Sequence, residues 1–344
     1  MTLGTILGAS FRVLRRNPRP VVGFSLIIHA IVLLITLVVT GLFTVNALNG
    51  YFQAVSSGNF TQASASSAIG SFVLAEVGAV VTGLFAYAGQ AILQGIVTMD
   101  VARGTLGEKL PLRALWGRAR GRILVLVGWA LLVVGVALVA LVVMFGGDVL
   151  LFAVGGTAGI AIGIILLILI FAGGAVLAAL LWTKLSLVPS ALVLERLPLG
   201  QAIRRSWSLT RGFFWRTFGI ELLVAVMVGI AASIVELPVT IVVEILTLLA
   251  NPTGVSNSAS SLTSVFGATE IAGSIATAIA ETITAIIAAA STALIYIDLR
   301  MRKEGLDLQL VRFVDARAAG HTDIPDPYLP TTSGPAADPG AGPA

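Results

Sequence analysis

Residues Leu197 to Val224 read LPLGQAIRRSWSLTRGFFWRTFGIELLV. This stretch begins as a basic amphipathic segment and runs without a break into a long apolar helix. Ile203 and Trp207 are four residues apart and share a helix face. Arg204, Arg205 and Arg211 fall largely off that face. Such a segment is expected to lie flat in a membrane interface, with Trp207, Phe213, Phe214 and Trp215 at the level of lipid headgroups and the arginines in water. Arg216 is then the last charge before the chain enters lipid.

Composition points the same way. The 344 residues are 57% hydrophobic and 11% charged, with mean hydropathy +1.00, where soluble domains carry about a quarter charged residues. Several apolar runs exceed the roughly 18 residues that mark a spanning helix. The chain has no Cys, which excludes disulfides, a thiolate nucleophile and Cys-based metal sites. Its only two histidines are His29 and His321. A pI of about 9.8 could signal nucleic-acid binding. The basic residues sit at helix ends instead of forming one patch, so the reading is positively charged loops on one side of a membrane, with no nucleic-acid partner.

Working outward, residues 2 to 17 carry Leu3, Leu7, Phe11 and Leu14 at helical spacing beside Arg12, Arg15 and Arg16, which predicts an interfacial helix closed at Asn17-Pro18. Val21 to Phe43 is a first span, too long for the apolar core of a secretory signal. Asn46 to Ala68, uncharged and rich in Ser, Asn, Gln and Thr, reads as an external loop; Asn59-Phe60-Thr61 within it matches a glycosylation sequon. Ile69 to Met99 and Ile123 to Phe145 are the second and third spans, separated by a basic segment from Asp100 to Arg122. Gly146-Gly147-Asp148 reads as a tight turn. The fourth span, Val149 to Trp182, has a break at Gly155-Gly156, with regular helix from about Thr157. Lys184 to Arg216 is a second large cytoplasmic segment. From Thr217 to Ala250 is 34 residues, about 51 Å of helix against a hydrocarbon core of about 30 Å, so Pro238 is expected to break it into a span and a kinked, interfacial or re-entrant piece. Glu221, Glu236 and Glu244 then fall near interfaces. Asn251 to Thr263 is a second uncharged loop, and Phe266 to Ile297 the sixth span. Residues 318–344 form a Pro/Gly/Ala-rich tail expected to be disordered.

With the N-terminus in the cytoplasm, the four inside segments hold four, six, six and five Lys or Arg, which accounts for all 21 in the chain. The outside segments hold none. The expected fold class is therefore an all-α integral membrane protein. Its six transmembrane helices form three hairpins, each preceded by a basic amphipathic interfacial helix, and both termini are cytoplasmic. Leu3-Gly4, Leu7, Phe11, Arg15 and Gly23 align with Leu199-Gly200, Ile203, Trp207, Arg211 and Gly219, and Leu110-Pro111-Leu112 with Leu197-Pro198-Leu199. This predicts a parallel three-fold repeat over 2–100, 109–196 and 197–303 within a membrane domain of residues 1–317.

The run LVPSALVLERLPLGQAIRRSWSLTRGFFWRTFGIELL, Leu187 to Leu223, resembles the bacterial membrane domain named for glycerophosphoryl diester phosphodiesterase. The ending ALIYIDLRMRKEGLDLQL, Ala293 to Leu310, and the opening LGTILGASFRVLRRN, Leu3 to Asn17, are similar to the same family. The resemblance implies a stand-alone member in a bacterial cytoplasmic membrane. Some relatives carry a soluble phosphodiesterase domain that needs His, acidic residues and a metal. This chain has no region of soluble composition large enough for one, so the resemblance implies no catalytic activity, and no cofactor is expected.

No P-loop and no GxSxG is present. The chemistry within the apolar segments is confined to two polar stripes: Glu76, Gly83, Tyr87, Gln90 and Gln94 on the second span, and Glu270, Ser274, Thr277, Glu281, Thr284 and Thr292 on the sixth. Interhelical hydrogen bonding, at about 0.6–2 kcal/mol per contact, competes with a solute path as their explanation. Glu281 lies mid-span with no Lys or Arg at its depth, so Gln90, Gln94 and Thr284 are its candidate partners. His29, without an acidic neighbour in sequence, reads as a buried hydrogen-bonded group. Arg204, Arg205, Trp207, Arg211, Trp215 and Arg216 are candidate headgroup contacts on an anionic inner leaflet. The functional expectation is a non-enzymatic membrane scaffold that binds an unidentified membrane or cytoplasmic protein through its basic helices. The alternative is a transporter or lipid-handling protein that uses the stripes. The two separate on whether the stripes enclose a cavity or pack dry.

Overall fold

The computed structural model describes residues 3–56, 62–154, 156–250, 259–321 and 324–329. The described chain is helical without a strand: α1 (Leu3–Arg16), α2 (Pro18–Ser56), α3 (Gln62–Thr105), α4 (Leu112–Ala119), a 3₁₀ turn (Arg120–Arg122), α5 (Ile123–Val154), α6 (Gly156–Leu185), α7 (Val188–Leu194), α8 (Leu199–Thr210), α9 (Phe214–Ala250), α10 (Ala259–Glu304) and α11 (Leu306–Ala318). Among the described residues, six helices, α2, α3, α5, α6, α9 and α10, contain segments long and apolar enough to cross a membrane.

Several helices outrun the sequence-based boundaries. The polar stretch 46–68, expected as a loop, is helical on both sides of residues 57–61: α2 reaches Ser56 and α3 starts at Gln62. Its Ser, Asn, Gln and Ala residues include no Pro, and nothing in it stops a helix that is already nucleated. The sequon at 59–61 and most of the 251–263 stretch lie outside the described residues. Gly146-Gly147-Asp148 is not a turn, because α5 continues through it to Val154. Each Gly costs about 1 kcal/mol against Ala, and the apolar runs on either side carry the helix past both. Pro238 does not break α9, which runs from Phe214 to Ala250. The proline removes the single hydrogen bond that would reach the Ile234 carbonyl. Two residues on, the Thr240 hydroxyl donates to the Glu236 carbonyl at 2.6 Å.

The core is built on α10, against which α9, α2, α3 and α1 pack. Its residues Ile286, Ala290, Ala293, Tyr296 and Ile297 are fully buried. The Lys184–Arg216 stretch, read as a large cytoplasmic segment, contains α7, and every residue of α7 is buried. The seven residues VPSALVL carry no charge and slot against α3, where the Ser190 hydroxyl meets that of Thr98 at 3.3 Å. The short helices α1 and α8 dock through corresponding positions. Ile6, Ser10 and Val13 are buried on α1; Ala202, Ser206 and Leu209 are buried on α8. Phe11 and Trp207 stay exposed at 44% and 47%. Pro111 and Pro198 lead into α4 and α8 with the same backbone angles, φ −69 and ψ 156. Proline fixes φ there and gives up an N–H that the first turn would leave unpaired.

The tail departs from the expected disorder at 324–329. Tyr328 is buried, its hydroxyl 2.6 Å from that of Thr105 and donating to the Ala102 carbonyl at 3.1 Å. The Tyr328 carbonyl accepts from Arg300 at 3.1 Å, and Asp326 pairs with Arg103. The phenol fills a slot between the ends of α3 and α10, and the preceding Pro325 and Pro327 lower the entropy cost of ordering the segment.

Candidate functional site

A group of polar side chains inside the apolar helices surrounds a cavity of about 570 Å³. Four helices wall it: α2 with His29 and Thr36, α3 with Thr82, α9 with Glu236 and Thr240, and α10 with Ser274, Thr277 and Glu281. Water occupies about 30 Å³ per molecule in the liquid, so the volume suits many waters or a small polar ligand. The Thr82 hydroxyl is buried without a hydrogen-bond partner among the described residues.

His29 is locked at one edge of its ring. Its Nδ1 lies 2.8 Å from the Ser25 carbonyl and 3.3 Å from the Ser25 hydroxyl. That hydroxyl donates onward to the Thr282 carbonyl at 3.1 Å. Both neighbours of Nδ1 are thus acceptors, which assigns the proton to Nδ1. Nε2 faces the Glu281 carboxyl, 4.0 Å from its Oε2. That gap exceeds a hydrogen bond, and one bridging water or a small side-chain movement closes it. The imidazole is buried while the Glu281 side chain is 55% exposed. Glu236 stands near enough to act on the Glu281 charge. The Glu281 carboxyl therefore faces the imidazole and Glu236 lines the same cavity, an arrangement able to receive a ligand with positive or hydrogen-bond-donating groups.

This corrects the sequence-based placement in several respects. Glu281 has a nitrogen partner, His29, 252 residues away in sequence. Thr284 donates to the backbone carbonyls of Ala280 and Glu281. Gln94 reaches the Ser186 carbonyl at 3.2 Å. Gln90 is half-buried and Glu76 exposed, neither lining the cavity; Glu270 lies on α10, in a stretch whose side chains are outside the described residues. The stripe on α10 thus contributes Ser274, Thr277 and Glu281, and the stripe on α3 little. Glu236, read as interfacial, lines the cavity. Glu221, read likewise, is buried and accepts from the Ser186 hydroxyl at 2.5 Å.

A second polar centre occupies the basic end of the helices. Glu195, buried just after α7, accepts from Arg205 Nε at 2.9 Å and from the Tyr296 hydroxyl, with Arg300 Nε at 3.6 Å. Arg205 and Arg300 both also pair with Glu304. Burial works against the Arg205 charge, but the Glu304 and Glu195 carboxylates outweigh it and hold the guanidinium above its ordinary pKa. Arg216 pairs with Asp298 at 2.8 Å, and Arg302 with the same carboxylate at 3.0 Å. Of the expected headgroup contacts, Arg205 and Arg216 are therefore engaged by carboxylates. Arg204, Trp207, Arg211 and Trp215 are exposed. Sequence reasoning missed His29 as a site residue, the buried Glu195 and Tyr328. Glu195 follows directly on an uncharged apolar run, a signal that marks it as a buried acid in need of a cation. Among the described residues, no group of three His, Asp or Glu is placed to hold a metal ion.

Among the described residues, six helices long and apolar enough to cross a membrane, four of them walling the cavity, define a multi-pass membrane protein. Residues 117–299 match the family described as Domain of unknown function (DUF7847), and the chain belongs to that family. The matched stretch runs from α4 through Leu299 on α10 and so takes in α7, Glu195, Glu236 and Glu281. No curated protein and no solved structure matches the chain.

Proposed function

We propose that this protein binds a polar solute or lipid headgroup in the cavity around His29 and Glu281, as a transporter or lipid-handling protein of a bacterial cytoplasmic membrane. The observation that carries this reading is the cavity itself: about 570 Å³ of space, with eight polar or ionisable side chains set among apolar ones in its wall. Ionisable groups at such depth are costly to bury, and pairing with each other or with a ligand offsets that cost. In the Cys-free chain, Thr277→Cys and Thr240→Cys should react with a small water-soluble thiol reagent, while Leu169→Cys on the exposed flank of α6 should not. Absence of reaction at both cavity positions would mean a dry interior and would remove the reading. Glu281→Gln and Glu281→Leu then separate roles. A structural hydrogen bond tolerates Gln and melts early with Leu. A site that needs a titratable proton loses function with both.

A second reading, a non-enzymatic scaffold for a membrane or cytoplasmic partner, is favoured by the exposed arginines Arg12, Arg15, Arg113, Arg118 and Arg120 on and beside α1 and α4. It is tested by affinity purification in mild detergent, with Arg113, Arg118 and Arg120 changed to Gln: partners retained by the wild type should be lost.

We further propose that the six helices are three hairpins entered from one side, with both termini cytoplasmic and α1, α4 and α8 lying at an anionic inner leaflet. The one-sided distribution of all 21 Lys and Arg supports this. The equivalent buried positions of α1 and α8 support the three-fold repeat. Ser57→Cys and Ser258→Cys should label from outside intact cells, and protection of either breaks the topology. The resemblance of Leu187–Leu223 and Ala293–Leu310 to the glycerophosphoryl diester phosphodiesterase membrane domain supports a stand-alone relative of that family.

A further inference from the structure

At the basic end, Lys303 and Arg211 lie near enough to act on Lys184, and among the described residues none of the three forms an ion pair with a carboxylate. Lys184, at the end of α6, places Nζ 5.3 Å from the Trp207 ring centre and 5.7 Å from that of Phe214. The charged groups that act on it are themselves cations, Lys303 and Arg211. Lys303, near the end of α10, donates to the carbonyls of Ser208 and Arg211, both at 2.7 Å, and lies 5.7 Å from the Phe213 ring. The turn between α8 and α9 is thus held between two lysines. It is shaped by Gly212 at φ 88, a conformation that favours glycine. The Ser206 hydroxyl ties the backbone of Lys184 to α8 at 2.6 Å.

The contrast with nearby arginines is informative. Arg205, Arg216 and Arg302 each reach a carboxylate at 3.0 Å or less. Lys184 has ring faces for partners, and Lys303 has carbonyls. Gathering like charges without a counter-charge costs energy unless an anion completes the cluster. The surroundings identify the anion's carrier. Trp182 and Trp215 are 65% and 79% exposed, Trp207 is 47% exposed, and the adjoining face of α6 is apolar and open. Exposed tryptophans beside an apolar helix face belong at the headgroup level of a bilayer.

We infer that Lys184, Arg211 and Lys303, framed by Trp207 and Phe214, form a binding site for the phosphodiester headgroup of an anionic phospholipid. Arg211 supplies a fork of donors for phosphate oxygens and the lysines supply compact charge. Trp207 walls the site, and the acyl chains lie along the apolar flank of α6. The site is separate from the cavity of His29 and Glu281, so its loss leaves thiol labelling at Thr277→Cys and Thr240→Cys unchanged.

The test is native mass spectrometry of the full chain in mild detergent, titrated with phosphatidylglycerol, with phosphatidylcholine, or with inorganic phosphate. Wild type should hold phosphatidylglycerol in preference to phosphatidylcholine. The Lys184→Gln/Arg211→Gln double variant should bind phosphatidylglycerol about twenty-five-fold more weakly, each side chain contributing about fivefold. Arg211→Gln alone alters only an exposed side chain, spares the fold, and should give about a fivefold loss. Arg204→Gln, outside the cluster, should change nothing. Equal retention of the two lipids by wild type, or undiminished phosphatidylglycerol binding by Arg211→Gln, overturns the site. Binding of inorganic phosphate as tight as that of phosphatidylglycerol overturns the lipid as its occupant.

Discussion

Helices α6 and α10 are both long enough to cross a bilayer, yet they treat their surroundings in opposite ways. In the most apolar part of α6, which is also the most apolar of the six, no residue is buried within the protein; in that of α10, 61% are. Ile165, Leu169 and Phe171 on α6 are more than half exposed, while α10 packs Ser291, Thr282 and a run of alanines into the core. In water the greasiest segment would be innermost. In lipid the hydrocarbon already satisfies apolar side chains, so small and polar residues mark the packed helix, because they let backbones approach and hydrogen-bond. The Ser10 and Ser291 hydroxyls, 2.8 Å apart between α1 and α10, are one such contact.

Four substitutions sharpen or break this contrast. The largest effect is expected at the basic end of α10. Arg300→Gln removes one of the two cations beside the buried Glu195, leaving Arg205, and the charged donor to the Tyr328 carbonyl, and should cost about 2–3 kcal/mol, read as a loss of melting temperature in detergent. Next, Ala290→Leu forces extra volume into a fully buried position and should cost about 1–3 kcal/mol; a stable variant would mean α10 is loosely packed. Third, Tyr328→Phe removes the phenol's hydrogen bonds to α3, for about 1 kcal/mol. The Tyr328 phenol is also a pH probe, since burial pushes its pKa up to about 12 from 10.0. Its neutral form is the one the fold holds. The stability it contributes is therefore complete below pH 10 and lost as pH rises toward 12. An ultraviolet titration of the wild type should show one more late tyrosinate than that of Tyr328→Phe, since Tyr296 is a second buried phenol. The smallest effect is expected at Leu169→Ala on α6, within about 0.5 kcal/mol, since the residue meets only lipid. A large loss there would reveal a protein partner on that face.

The number of spanning helices and their approximate positions were legible because a long apolar run leaves a bilayer protein few alternatives. Helix ends were less so. Gly146-Gly147 and Pro238 are breakers by local preference, and the length of α5 and α9 overrode both. The polar residues 46–56 carried no helix stop, and their polarity alone suggested a loop. The carboxyl of Glu281 was legible as an acid in the middle of an apolar span. Its partner was not, because His29 reaches it through the packing of α2 on α10 and no sequence spacing encodes that contact. Conversely, Arg205 and Arg216 sit on a basic amphipathic pattern that does not show which arginines turn inward to Glu195 and Asp298. Tyr328 was hidden by the Pro- and Gly-rich composition around it, where one aromatic side chain suffices to anchor a short segment.

The unbroken course of α10 carries a mechanical consequence. Glu281 at the cavity and Arg300 at the ionic cluster are 19 residues apart on one helix, about 28 Å along its axis. A helix without a hinge transmits torsion nearly undiminished. Rotating it by about 20° swings side-chain tips by about 2 Å at any level, given a radius of about 5–6 Å. Any twist that α10 takes up at Glu281 is therefore delivered as a displacement of Arg300 against Glu195 and the Tyr328 carbonyl, so the two ends of the molecule work as opposite ends of a single shaft.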